Sequence, residues 1–304
     1  MVKYAAMDIS SRTKGIAAIT ASAFGFALMA AFVRLADDYG TPISSFQKSF
    51  FRNIVAFAIA LAVFVRARHA ERVREAAVGA AKRRLPAKTL MLLLLRSALG
   101  TCGIFANFYA LGLVPIADGQ TLNKTAPFFT VAFAWLFLGE RATLRQAGAL
   151  VLAFAGVVLV AKPGFAGDAA FPLAMGLLGG ACAGGAYACV RALRRHAMDP
   201  AFIVVFFSAF SCLASVPFML ARFDPMTWRQ VATLFGAGAG AALGQFGITL
   251  AYGYAPPREI AVYDYSNILF TAALGLLLFG QVPDAWSVLG FAFILAAAFR
   301  LHRT

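Results

Sequence analysis

The chain has 304 residues, 61% of them hydrophobic and only 13% charged, with a formal net charge of +14. That is more apolar side chain than a soluble domain of this length needs, and runs of about 18 or more apolar residues mark membrane-spanning helices. A membrane barrel would read as short alternating strands, and the basic residues sit in short stretches between apolar runs, so neither a barrel nor a nucleic-acid-binding domain is expected.

The start, MVKYAAMDISSRTKG, is polar and has no apolar core or cleavage site, so no cleaved signal is expected. The first candidate span follows at 16–34 and the second at 44–65. Lys48 and Arg52 stand four apart near the start of the second, as headgroup anchors or as part of a pathway. Residues 66–88, RARHAERVREAAVGAAKRRLPAK, are basic and Ala-rich and read as an amphipathic helix at the headgroups. In the third span, 89–110, Arg96, Gly100, Gly103 and Asn107 recur on one helix face. Such a stripe suits a cavity wall and equally suits close helix packing.

The fourth span, 115–138, contains QTLNKTAPFF. Lys124 lies about 13 Å into it at 1.5 Å per residue, near the middle of a core about 30 Å thick. A lysine there costs about 2.5–3.5 kcal/mol on insertion scales. Pro127 frees a carbonyl and is expected to kink the span beside Asn123 and Lys124. Spans five to ten fall at 144–161, 172–190, 201–221, 231–253, 259–280 and 285–301. The sixth carries Tyr187, the eighth Gln245, and the ninth VYDYSNILF with Tyr263, Asp264, Tyr265 and Asn267.

Residues 100–140 align without gaps on 241–281, an offset of 141, pairing Gly139 with Gly280, Asn123 with Asp264, Lys124 with Tyr265 and Asp118 with Glu259. VRLA at 33–36 also parallels VRAL at 190–193. The expected division is a first five-helix half, 1–165, and a second, 166–304. Five is odd, so the second half enters the membrane from the opposite side, an inverted repeat with a site near the midplane. Placing both termini in the cytoplasm puts nineteen Lys and Arg inside and four outside, which satisfies the positive-inside rule.

The four cysteines, Cys102, Cys182, Cys189 and Cys212, fall in apolar runs without metal-ligand spacing. His69, His196 and His302 lie in basic flanks, and no Walker A or Ser–His arrangement occurs. No catalytic residue, metal site or cofactor is therefore expected.

At LFLGERATLRQAGALVLAFAGVVLV, residues 136–160, the order Pro127, apolar run, Gly139, Glu140, Gln146, Gly148, Gly156 resembles the drug/metabolite transporter superfamily, in its EamA-type branch. The resemblance covers nearly the whole chain, although Gln281 stands where the family often has Glu. It implies ten helices in two inverted repeats, cytoplasmic termini, a bacterial inner membrane, and movement of amino acids or other small metabolites, often outward. It also implies that Pro127, Gly139 and Glu140 are structural, with Glu140 capping the next helix or pairing with Arg141 or Arg145.

The expected function is alternating-access transport of an anionic or zwitterionic metabolite such as an amino acid. Lys124 and Asp264 would line the site, with Asn123, Tyr265, Tyr263, Asn107, Arg96, Tyr187, Gln245 and Asn267 around them. Protons are a candidate coupling partner through Asp264, whose charge state depends on whether Lys124 pairs with it. The expected partners are a small solute and the lipid bilayer, in a monomer or homodimer. A lipid or amphiphile flippase or scaffold of the same fold is the alternative.

Overall fold

The computed structural model describes residues 9–41, 43–76, 86–111, 122–161 and 170–302. Asp118, the start of the fourth span at 115–121 and residues 77–85 of the basic loop lie outside them. Among the described residues the chain is helical throughout, as lipid requires, since every backbone N–H in hydrocarbon needs a partner within its own helix. The helices are α1 (Ile9–Asp38), α2 (Ser45–Ala76), α3 (Ala87–Leu111), α4 (Ala126–Leu138), α5 (Leu144–Ala161), α6 (Ala170–Arg195), α7 (Pro200–Ala221) and α8 (Trp228–Tyr254). The short α9 (Pro257–Ile260), a 3-10 turn (Ala261–Tyr265), α10 (Ser266–Phe279) and α11 (Ala285–His302) complete the order.

Among the described residues eight helical segments are long and apolar enough to span a membrane; Ala126–Leu138 and Ala285–Leu301 are shorter apolar helices that make up the ten. Leu136, Phe137, Leu213 and Leu277 are each at least 70% exposed, an apolar surface that suits contact with lipid tails rather than water. The protein is a multi-pass membrane protein.

Three expectations need correction. The first half of the basic loop is not a separate helix: α2 runs unbroken to Ala76, because Arg66–Ala76 holds neither glycine nor proline to end it. The ninth span is one helical segment, Pro257–Phe279, but not a uniform α-helix, since a 3-10 turn interrupts it between α9 and α10. Pro127 does not kink a continuous helix but stands in the first turn of α4, after a turn at Lys124 and Thr125. Its missing N–H costs nothing there, because the first N–H groups of a helix have no partner in the helix.

The principal packing pairs are α1 with α8 and α3 with α6, then α5 with α11, α2 with α7, α4 with α6, α2 with α8 and α1 with α10. Glycine allows the closest approaches. A Cβ on Gly25 would lie 2.6 Å from the backbone N of Gly244, and one on Gly103 would lie 3.1 Å from the carbonyl of Gly179. Gly103 therefore fulfils the packing half of the stripe in α3.

Both α4 and α10 end in one motif. Gly139 has φ 70° and Gly280 φ 63°, in the left-handed region that glycine enters without a Cβ penalty. The N–H groups of Gly139 and Glu140 bond to Trp135 and Ala134, and those of Gly280 and Gln281 bond to Leu276 and Gly275. The two caps stand at the offset of 141 that aligns the sequence.

Candidate functional site

The breaks in the two discontinuous spans face a cavity of about 870 Å³ between α1, α2, α3, α6, α8 and α10. A cavity of that size suits a small-molecule ligand. Lys124 stands at the turn before α4 and Asp264 in the 3-10 turn before α10, and both line it. Their charges act on one another, yet no ion pair joins them. Lys124 Nζ donates instead to Asn267 Oδ1 at 2.5 Å, and Asn267 Nδ2 donates to the Ala23 carbonyl on α1 at 2.9 Å. The lysine is thus held by an amide, and the Asp264 carboxylate has no hydrogen-bond partner among the described residues.

Arg96 on α3 is 1% exposed. Its Nη2 donates to Gln245 Oε1 on α8 at 2.9 Å, and its guanidinium lies 3.6 Å above the ring of Phe207 on α7. That stacking holds the charge in place without neutralising it. Arg52, Tyr187, Asn107 and Asn123 also line the cavity. The ring of Tyr187 sits 5.9 Å from that of Tyr252, and Asn107 Oδ1 is buried without a partner.

Tyr263 and Tyr265 do not line the cavity, contrary to expectation. The 3-10 turn directs the Tyr263 hydroxyl to the Ala298 carbonyl on α11 at 3.2 Å. Tyr265 is fully buried and donates to the Lys124 carbonyl at 3.0 Å, so it braces the other break rather than facing solute.

At one end of the bundle the cavity reaches Arg34, Asp37, Asp38, Lys48 and Gln281. Lys48 is not a free headgroup anchor: its Nζ lies 2.7 Å from Asp37, which joins the ends of α1 and α2. With the amide of Gln281 oriented to satisfy both groups, its oxygen accepts from Nη1 and Nη2 of Arg34, each at 3.0 Å. Sequence reasoning missed Arg34, Asp37 and Gln281 as cavity residues. The signal was the pair of opposite charges closing the α1–α2 hairpin, which an account of spans one at a time does not compare.

The other end is closed. Arg191 bonds to Glu140 at 2.9 Å and to the Tyr252 carbonyl at 3.0 Å, and Arg195 lies 3.7 Å from Glu140. Glu140 therefore pairs across to α6, not with Arg141 or Arg145 as expected. The reason is that the Gly139 cap turns the chain back toward α6. Arg12 reaches the Leu301 carbonyl and lies 3.9 Å from Glu259, so the start of α1 and the end of α11 meet at this same end. Beneath them Ile19, Leu193, Ile248 and Ile260 are fully buried in one apolar cluster.

The EamA-like transporter family pattern matches residues 13–162. The pseudopaline exporter of Pseudomonas aeruginosa is 32% identical over 235 residues, covering 76% of this chain and 80% of that protein. A riboflavin transporter of Rhizobium johnstonii is 29% identical over 213 residues, 69% of each chain. A solved crystal structure at 18% identity superposes with a TM-score of 0.72 over 92% of this chain and 95% of that one, a likeness of fold alone.

Proposed function

We infer, since the chain belongs to the EamA-like transporter family, that it carries a small organic metabolite with an anionic or zwitterionic head, such as an amino acid, across a bacterial inner membrane by alternating access. Protein of this family is a transporter, not an enzyme. The observation that carries the choice of solute is the cavity itself, where Lys124 and Asp264 meet at the breaks of two discontinuous spans without pairing. A carboxylate on Lys124 and an amine on Asp264 would complete both groups. Discontinuous helices with polar groups at the break are a recurrent way of building a midplane solute site.

Alternating access draws support from the packing. Two halves, 1–165 and 166–304, related by a twofold exchange would swap α1–α8 with α3–α6 and α4–α6 with α1–α10, and those are principal contacts. The basic residues gathered at the closed end support a cytoplasmic position for it. On this reading the end lined by Arg34, Asp37 and Lys48 faces outward and the cavity is outward-open. Asp264 is the candidate proton carrier; a pH gradient that drives wild type and not Asp264→Asn would establish it, and equal rates would remove it.

The test is a screen of purified protein for thermal stabilisation by anionic, zwitterionic, neutral and cationic metabolites, followed by flux in proteoliposomes. Flux of amino acids or organic anions is expected. Flux confined to neutral or cationic solutes, or lipid scrambling without metabolite flux, overturns the reading.

A further inference from the structure

Three cations and one acid lie in the deep part of the cavity: Arg52, Arg96 and Lys124 against Asp264. A zwitterion on Lys124 and Asp264 leaves the two arginines unanswered. Among the described residues no carboxylate pairs with either of them. Arg96 Nε and Arg52 Nε are both buried without a hydrogen-bond partner. The two guanidiniums act on each other and on Tyr187, so they share one region of the cavity wall. Charge held this way inside a membrane is costly unless a counter-charge joins it.

Arg96 is also built in place. It is clamped between the Gln245 amide and the Phe207 ring at 1% exposure, which fixes its fork before any solute arrives. A planar guanidinium fork pre-set in this way suits a carboxylate or phosphate, whose oxygens accept two parallel N–H bonds.

We propose that Arg52 and Arg96 form a second anion subsite, so that the transported solute is an amino acid-like zwitterion bearing a further carboxylate or phosphate. This rests on the reading of Lys124 and Asp264 as the zwitterion site. The solute thus contacts four helical regions at once: α2 and α3 through its second anionic group, and the two helix breaks through its head. Tyr187, which lines the same cavity, would lie along its stem.

The experiment measures binding to the full-length protein in detergent by thermal shift and calorimetry. The probes are the α-amino dicarboxylates from glutamate to 2-aminopimelate, their ω-amides, and O-phosphoserine. Wild type is expected to prefer at least one diacid over its amide by 10-fold or more. The phosphoserine arm distinguishes phosphate from carboxylate as the second group. Arg52→Gln should bring the diacid-to-amide ratio close to one. Arg96→Lys should keep part of the preference, and Arg96→Gln should lose it. Equal affinity of every diacid and its amide in wild type overturns the second subsite alone, as does an Arg52→Gln ratio that stays high. No binding by any probe overturns it together with the zwitterion site.

Discussion

The Tyr265 hydroxyl donates to the backbone carbonyl of Lys124 at 3.0 Å, and these two residues, 141 apart, are the pair that the internal alignment places at equivalent positions. The two helix breaks therefore touch each other, with the side chain of one supporting the backbone of the other. A helix broken in mid-membrane leaves carbonyls without partners, and such groups must be answered locally.

Tyr265→Phe should accordingly destabilise the protein by about 1–3 kcal/mol, the cost of leaving a buried acceptor unpaired. Tyr263→Phe should cost less, because Tyr263 is only half-buried and its bond to Ala298 is longer, at 3.2 Å. Thermal and denaturant unfolding in detergent checks both. Equal losses, or none at Tyr265, would detach the hydroxyl from the stability of the break.

Lys124→Met should cut metabolite flux by 10-fold or more while membrane yield holds. The substitution keeps an unbranched chain and removes a charge that costs about 2.5–3.5 kcal/mol at the midplane. Asn267 keeps its bond to Ala23, so the local frame survives. Flux within twofold of wild type at normal yield would exclude Lys124 from the site.

Two glycines of α5 separate packing from propensity. A Cβ on Gly156 would lie 2.5 Å from the Gly290 carbonyl on α11, whereas one on Gly148 meets nothing within 4 Å. Gly156→Ala should destabilise by about 1–3 kcal/mol through overpacking. Gly148→Ala should be neutral or stabilising by up to about 1 kcal/mol, since alanine is the better helix former. Melting curves of the two variants should move apart; a shared shift would show that α5 and α11 do not meet at this seam.

The ten spans, the deep Lys124 and Asp264 and the register joining them were legible because hydropathy and residue identity are properties of single segments. The helix breaks were less so. Pro127 signals that a helix changes, but whether it kinks or starts one depends on the turn at Lys124, which the tertiary fold sets. The ninth span has no proline at its break, and its 3-10 turn over Ala261–Tyr265 has no composition signal at all. The partner of Glu140 was hidden for another reason: Arg191 lies 51 residues away, while Arg141 and Arg145 are near in sequence. Tyr263 and Tyr265 were misplaced because the tighter turn rotates side chains away from the face that a regular helix would present.

Arg34 and Arg191 stand at matching positions in the two VR motifs, and their partners Gln281 and Glu140 stand at the offset of 141. The closed end is thus held by a partly buried ion pair, and the open end by a neutral amide on an exposed residue. Gln281→Glu would give the outer end the same charged pair. It should tighten the Arg34 contact, because charge-assisted bonds are stronger than neutral ones.

Side-specific labelling of Ala183→Cys, a cavity position on α6, tests the central claim most directly, in a background with Cys102, Cys182, Cys189 and Cys212 replaced by serine. An impermeant thiol reagent should reach the cysteine from the outer face in the parent sequence. With a transported solute supplied at the outer face the outer rate should fall and labelling from the cytoplasmic face should rise. Labelling from the outer face alone, at one rate with and without solute, would contradict alternating access through this cavity.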